Sequence, residues 1–132
     1  ATGSGFIKRG GGAEVNWASG LARLGLKVGW LSRMGNDAFG RCTCQQLDKE
    51  EVDRRHVTPD RRYPTGFQIK SKVDVGSDPL VEYFRIGSAA SHLPPAAFDR
   101  DNFCSALLPH LSGVEPSLLH HSLALPPTAA RA

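Results

Sequence analysis

The sequence predicts an α/β fold: a mainly parallel sheet with flanking helices, from which a small β-hairpin projects. Three observations carry this. Gly10, Gly11 and Gly12 run into apolar residues at helical spacing and then into a short apolar run. A turn at Gly35 to Asp37 opens a second helical stretch, and two extended stretches, from Thr65 and from Leu80, flank a turn at Gly76 to Pro79. The 132 residues, 40% of them apolar, suit a single modest core.

Charge and cysteine content exclude several classes. The 16 basic and 13 acidic residues leave +3, interspersed except at Arg54, Arg55, Arg61 and Arg62. No concentrated basic face or recognition module accompanies them, so a nucleic-acid partner is not expected. No apolar run reaches the roughly 18 residues of a membrane helix, and no signal peptide opens the chain, so a soluble protein without a membrane partner is expected. The three cysteines, Cys42, Cys44 and Cys104, have no disulfide spacing and read as reduced thiols of a cytoplasmic protein. One CxC pair with scattered histidines, His120 and His121 among them, is too few ligands in the wrong pattern for a metal site.

In chain order, residues 1–9 lack a starting methionine and read as a cut end. The first helix places Trp17, Ala18, Leu21, Ala22 and Leu24 on its apolar side, with Asn16, Ser19 and Arg23 on its polar side. Gly25 is its left-handed stop, and Val28 to Leu31 reads as a buried strand. Glycine at the helix entrance allows a ligand close to backbone N–H groups that have no intrahelical partner, and Asn16 offers a donor and an acceptor to ligand hydroxyls. Gly11, Gly12 and Asn16 are therefore candidate binding residues; the same spacing also suits a plain tight turn and a solvated asparagine. Asp37 is an N-cap for a helix from Ala38 to about Glu51, with Phe39, Cys42 and Leu47 as a thin apolar face. Residues 53–64, punctuated by Pro59 and Pro64, read as a surface connection. In the hairpin, Phe67, Ile69 and Ser71 alternate against Gln68, Lys70 and Lys72, and alternation puts Tyr83 and Arg85 on one face of the returning strand. A short helix from Asp99 or Asp101 through Leu108 follows, then a strand-like HLSGVEPSLL and an irregular tail.

The strings GGAEVNWASGLARLG and VGWLSRMGNDAFG resemble the first signature of the PfkB (ribokinase-like) carbohydrate kinases, and EYFRIGSAASHL is similar to their lid-return segment, especially in the branch acting on 2-keto-3-deoxy sugar acids. The resemblance covers about residues 10–119. It implies residues 1–119 as the N-terminal portion of a ribokinase-like domain with a lid hairpin at about 65–88, and 120–132 as tail. It implies a sugar acid as the partner of Gly11, Gly12 and Asn16, with Tyr83 and Arg85 as lid contacts. An arginine fork suits the carboxylate of such a substrate. Two departures stand out: Gln68 where relatives carry an aromatic residue, and Glu51 where the family has a helix-ending glycine, which implies an altered or strained exit. The family's activity implies ATP and Mg2+ for the full-length enzyme. Its GAGD-type segment, with the catalytic aspartate, is not among the 132 residues, so no catalytic residue is assigned and the isolated chain is expected to be inactive. A fructokinase- or ribokinase-type specificity, or a non-catalytic fragment pairing as a homo-oligomer through its lid strands, are the alternatives.

Overall fold

A computed structural model describes residues 5–72, 76–98 and 100–110. In order these form α1 (Ala13–Arg23), β1 (Ser32–Gly35), α2 (Ala38–Lys49), β2 (Val57–Asp60), β3 (Phe67–Lys70), β4 (Val81–Phe84), two 3-10 turns (Ala89–His92 and Pro95–Ala97) and α3 (Arg100–Ser105). β1 and β2 pair in parallel, Ser32 opposite Val57 and Gly35 opposite Asp60, while β3 and β4 form the antiparallel hairpin. The expected α/β architecture with a projecting hairpin is what forms. HLSGVEPSLL beyond His110 and the tail lie outside the described residues.

Helix α1 is rotated relative to the expected face. It buries Val15, Ala18 and Ser19, with Ala22 packed behind them, a stripe at i, i+3, i+4 and i+7. Ser19 thus faces the core rather than solvent, and Trp17 is 40% exposed, its ring stacked on His110 at 3.8 Å. Likewise α2 buries Gly40, Thr43 and Leu47 rather than Phe39. Leu47 is fully buried and joins Val15, Ala18 and Val52, with Val28 and Trp30 partly buried against them.

Two further expectations shift. The apolar run from Val28 to Leu31 makes only a single parallel bridge, Gly29 to Asp53; the paired strand begins at Ser32. Its partner β2 lies inside residues 53–64, which the sequence presents as a surface connection. Thr58 and Pro59 are exposed and mask the pattern, and Pro59 is tolerated because β2 has one neighbour among the described residues and such a strand does not need every N–H. The last helix ends at Ser105, short of Leu108.

Both long helices finish in the same way. In α1 the Gly25 N–H donates to Ala22 O (2.9 Å) and the Leu26 N–H to Leu21 O (3.2 Å); in α2 the Glu51 N–H donates to Asp48 O (3.2 Å) and the Val52 N–H to Leu47 O (3.0 Å). These are paired Schellman bonds, which require a left-handed residue after the cap. Gly25 takes it at φ 84, whereas Glu51, at φ 57, is the one non-glycine residue with positive φ among those described. The expected departure at the helix exit is thus real, and the hydrophobic contact that accompanies this motif is the buried Leu47–Val52 pair.

The junction of β1, α2 and β3 is the tightest part of the fold. A Cβ on Gly35 would lie 2.5 Å from Asp37 Oδ2 and 2.8 Å from the Pro64 carbonyl carbon, and one on Gly40 would lie 2.9 Å from Thr65 Oγ1. Glycine at both positions lets the end of β1, the first turn of α2 and the start of the hairpin share one small volume.

Candidate functional site

Three groups of residues are candidates for binding. The first is the entrance to α1. Gly12 is its N-cap at φ 135, ψ 155, a conformation open essentially to glycine alone, and no side chain caps the helix. The Asn16 N–H donates to Gly12 O (2.9 Å), leaving the Asn16 side chain exposed. Nothing lies within 4 Å of a Cβ on Gly11, while Gly10 packs against Gln46 and Thr43 of α2.

The second group is the hairpin. Register places Phe67 opposite Phe84 and Gln68 opposite Tyr83, so the two pairs occupy opposite faces. Phe67 stacks on Phe84 (4.8 Å) and on Phe39 of α2 (4.9 Å), so one face is anchored to the helix. The other face presents Gln68, Tyr83 (59% exposed) and Arg85. The Arg85 guanidinium carbon lies 4.7 Å from the Tyr83 ring centroid, a cation–π arrangement that orients the charge without spending its N–H donors. Arg85 has no acidic partner among the described residues.

The third group closes the carboxyl ends of β1 and β2. Asp37 caps α2, its Oδ1 accepting from the Phe39 N–H (3.0 Å) and the Gly40 N–H (2.8 Å), and its Oδ2 accepts from the Thr65 N–H (2.8 Å). The same carboxylate therefore caps a helix and fixes the root of the hairpin. Partial burial opposes its ionisation, but the N–H groups of Thr65, Gly40 and Phe39 outweigh that and hold its pKa below the usual aspartate value. Asp60, 3% exposed, accepts from the Arg62 N–H (2.6 Å) and the Tyr63 N–H (3.1 Å) and pairs with Arg33 (2.7 Å). The Arg62 N–H, helped against burial by the Tyr63 N–H and then by Arg33 and His92, keeps this carboxyl low as well. Arg33 also donates to His92 O (2.9 Å), and the His92 ring stacks on Tyr63 at 3.5 Å. An open cleft of about 330 Å³ results, lined by Asn36, Asp37 and residues 60–64.

The structure pairs Gly12 with Asn16 and Tyr83 with Arg85. It joins the two pairs by no hydrogen bond or ring contact among the described residues; their common support is α2, which holds Gly10 at Thr43 and Gln46 and the hairpin at Phe39. Seven residues of helix separate Phe39 from Gln46, about 10 Å along the axis. Sequence reasoning passed over Asp60 and Tyr63 and weighed Arg61 and Arg62 only as a charge cluster. The available signal was an aspartate ending a short run that returns to a PTG turn, masked by the arginines around it.

The model of the pfkB family of carbohydrate kinases matches residues 2–129, and the chain belongs to that family. It is 47% identical over 114 residues to 2-dehydro-3-deoxygluconokinase of Bacillus subtilis (strain 168), covering 86% of this chain and 35% of that enzyme. Among solved structures, a PfkB protein from Polaromonas sp. JS666 superposes with a TM-score of 0.80 at 49% identity, over 86% of this chain and 38% of that one. A sugar kinase from Pyrococcus horikoshii in complex with ATP superposes with a TM-score of 0.62 at 32% identity, over 69% of this chain and 29% of that one. The chain thus spans about a third of the length of these relatives. No helix among the described residues is long and apolar enough to cross a membrane.

Proposed function

We propose that this chain is the sugar-binding portion of a PfkB kinase that transfers a phosphoryl group from ATP to a hydroxyl of 2-dehydro-3-deoxygluconate (2-keto-3-deoxygluconate). The observation that carries the reading is Arg85: a guanidinium oriented by Tyr83, on the hairpin face turned away from Phe39, with its donors unspent among the described residues. A carboxylate is the ligand group such a fork fits, because two parallel N–H···O bonds match its two oxygens. The likeness to the Bacillus enzyme supplies the acid. Gly11 and Gly12 would admit the sugar to the open start of α1, Asn16 would bond its hydroxyls, and Tyr83 with Arg85 would close over its carboxylate.

ATP belongs to this reading through the Pyrococcus relative. Magnesium would neutralise phosphate charge during transfer. The described residues do not fit it: they contain no cluster of three or more His, Cys, Asp or Glu side chains, and the carboxylates of Asp37 and Asp60 are committed to N–H groups and Arg33. In this reading the nucleotide determinants belong to residues outside this chain. The binding test is calorimetric titration of the chain with the keto acid and, separately, with fructose. Arg85→Gln should weaken the keto acid by about tenfold or more, the worth of a lost charge-assisted pair, and leave fructose nearly unchanged. Equal losses for both sugars would overturn the assignment.

A further inference from the structure

The cleft at the ends of β1 and β2 has a chemistry that the reading above does not use. Its two acidic residues face inward and are already engaged: Asp37 by three backbone N–H groups, Asp60 by two backbone N–H groups at Oδ1 and, at its buried Oδ2, by an ion pair with Arg33 Nε at 2.7 Å that lacks hydrogen-bond geometry. The polar groups left over at the mouth are mainly donors. Arg61 and Arg62 are exposed and have no acidic partner among the described residues; the Arg62 guanidinium carbon lies 5.9 Å from the Tyr63 ring centroid. The exposed Asn36 side chain adds an amide, and the Tyr63 hydroxyl adds a phenol with no hydrogen-bond partner among the described residues. The Pro64 carbonyl, an acceptor that would repel an anion, is occupied by the Ala89 N–H (2.8 Å).

The turn carrying the arginines is itself fixed. Asp60 Oδ1 holds the N–H groups of Arg62 and Tyr63, and the Asn36 N–H donates to Asp60 O (2.7 Å), so β1 and the turn move as one piece. The place is also where ligands collect in parallel sheets, outside the carboxyl ends of the strands. We infer that this cleft is an oxyanion subsite, separate from the Tyr83–Arg85 face, in which Arg61 and Arg62 grip a phosphate or carboxylate group while Asn36 and Tyr63 complete its hydrogen bonds. Phosphate and carboxylate share the chemistry, negatively charged oxygens taking charge-assisted N–H bonds, and the experiment separates them.

The test titrates the chain with inorganic phosphate and, in a second arm, with gluconate, following binding by calorimetry. Three proteins are compared: the unaltered chain, the Arg61→Gln/Arg62→Gln variant, and a Lys27→Gln/Lys72→Gln variant that removes the same charge elsewhere. Neither arginine side chain holds the turn, so circular dichroism should show all three folded; single Arg61→Gln and Arg62→Gln variants replace the double one if it is not. Phosphate affinity falling about tenfold or more in the arginine variant, and little in the lysine variant, assigns the site to phosphate. The same pattern with gluconate alone assigns it to carboxylate. Binding of neither anion, or equal weakening in both variants, overturns the proposal, since the second result would mean long-range charge only.

Discussion

Glu51 offers the sharpest test of how this backbone is held. Its φ of 57 puts a Cβ where only glycine is free of conflict with its own carbonyl. Its side chain is exposed and makes no hydrogen bond or ion pair among the described residues, so replacing it removes strain without removing a contact. A left-handed non-glycine residue costs about 1–2 kcal/mol, and glycine gives back roughly 0.5–1 kcal/mol through the greater freedom of the unfolded chain. Glu51→Gly should therefore stabilise by about 0.5–1 kcal/mol, raising the urea midpoint by about 0.5 M for a protein of this size. Glu51→Ala separates the causes, because it deletes the carboxylate but keeps the Cβ; it should change stability by less than about 0.5 kcal/mol. The reciprocal change, Gly25→Ala at φ 84 in the matching bond pattern of α1, should destabilise by about 1 kcal/mol or more. Urea unfolding followed by circular dichroism reads all three. A neutral or destabilising Glu51→Gly, together with a harmless Gly25→Ala, would refute the claim that these exits are governed by left-handed backbone strain.

Other outcomes follow from the junction. Asp37→Ala removes a helix cap and leaves the Thr65 N–H unpaired, a loss of about 2–3 kcal/mol by chemical denaturation; a loss under 0.5 kcal/mol would contradict the double role. Because the folded Asp37 carboxyl has a depressed pKa, its contribution is complete above the unfolded value of about 4 and disappears as pH falls through the folded value. Asp37→Asn should accordingly flatten the acid limb of a stability–pH curve, and parallel limbs would count against it. Gly35→Ala forces a Cβ against Asp37 and the Pro64 backbone and should cost roughly 2 kcal/mol or more, seen as a lowered thermal midpoint. Phe39→Ala removes the ring under Phe67; amide exchange should quicken in β3 and β4 while β1 and β2 keep their protection, and uniform quickening would show that the hairpin is not held separately.

Local rules carried much of this chain. Asp37 as a cap, Gly25 as a left-handed stop and the alternating hairpin all depend on a few neighbouring residues, so they can be read from spacing and residue type, while the departure at Glu51 was legible only against the family's pattern. At α1 the same reasoning placed Ala18 and Ala22 correctly but missed Val15 and Ser19 and put Trp17, Leu21 and Leu24 on the buried side. Helical periodicity offers two overlapping stripes there, and only the core residues Leu47 and Val52, distant in sequence, choose between them. It failed again at β2, since two exposed polar or proline positions hide a strand whose existence depends on pairing with β1.

The candidate site divides along the same line. Residue chemistry pointed to the glycines at a helix entrance and to Asn16, and the resemblance to the PfkB kinases pointed to Tyr83 and Arg85. Only the folded chain showed that Phe67 and Phe84 anchor one hairpin face, leaving Tyr83 and Arg85 on the other, and that two aspartates turn inward to leave Arg61 and Arg62 facing a cleft. Which face a side chain presents, and whether its charge is already spent, are decided by neighbours distant in sequence, and those are set only when the strands pair and the helices pack.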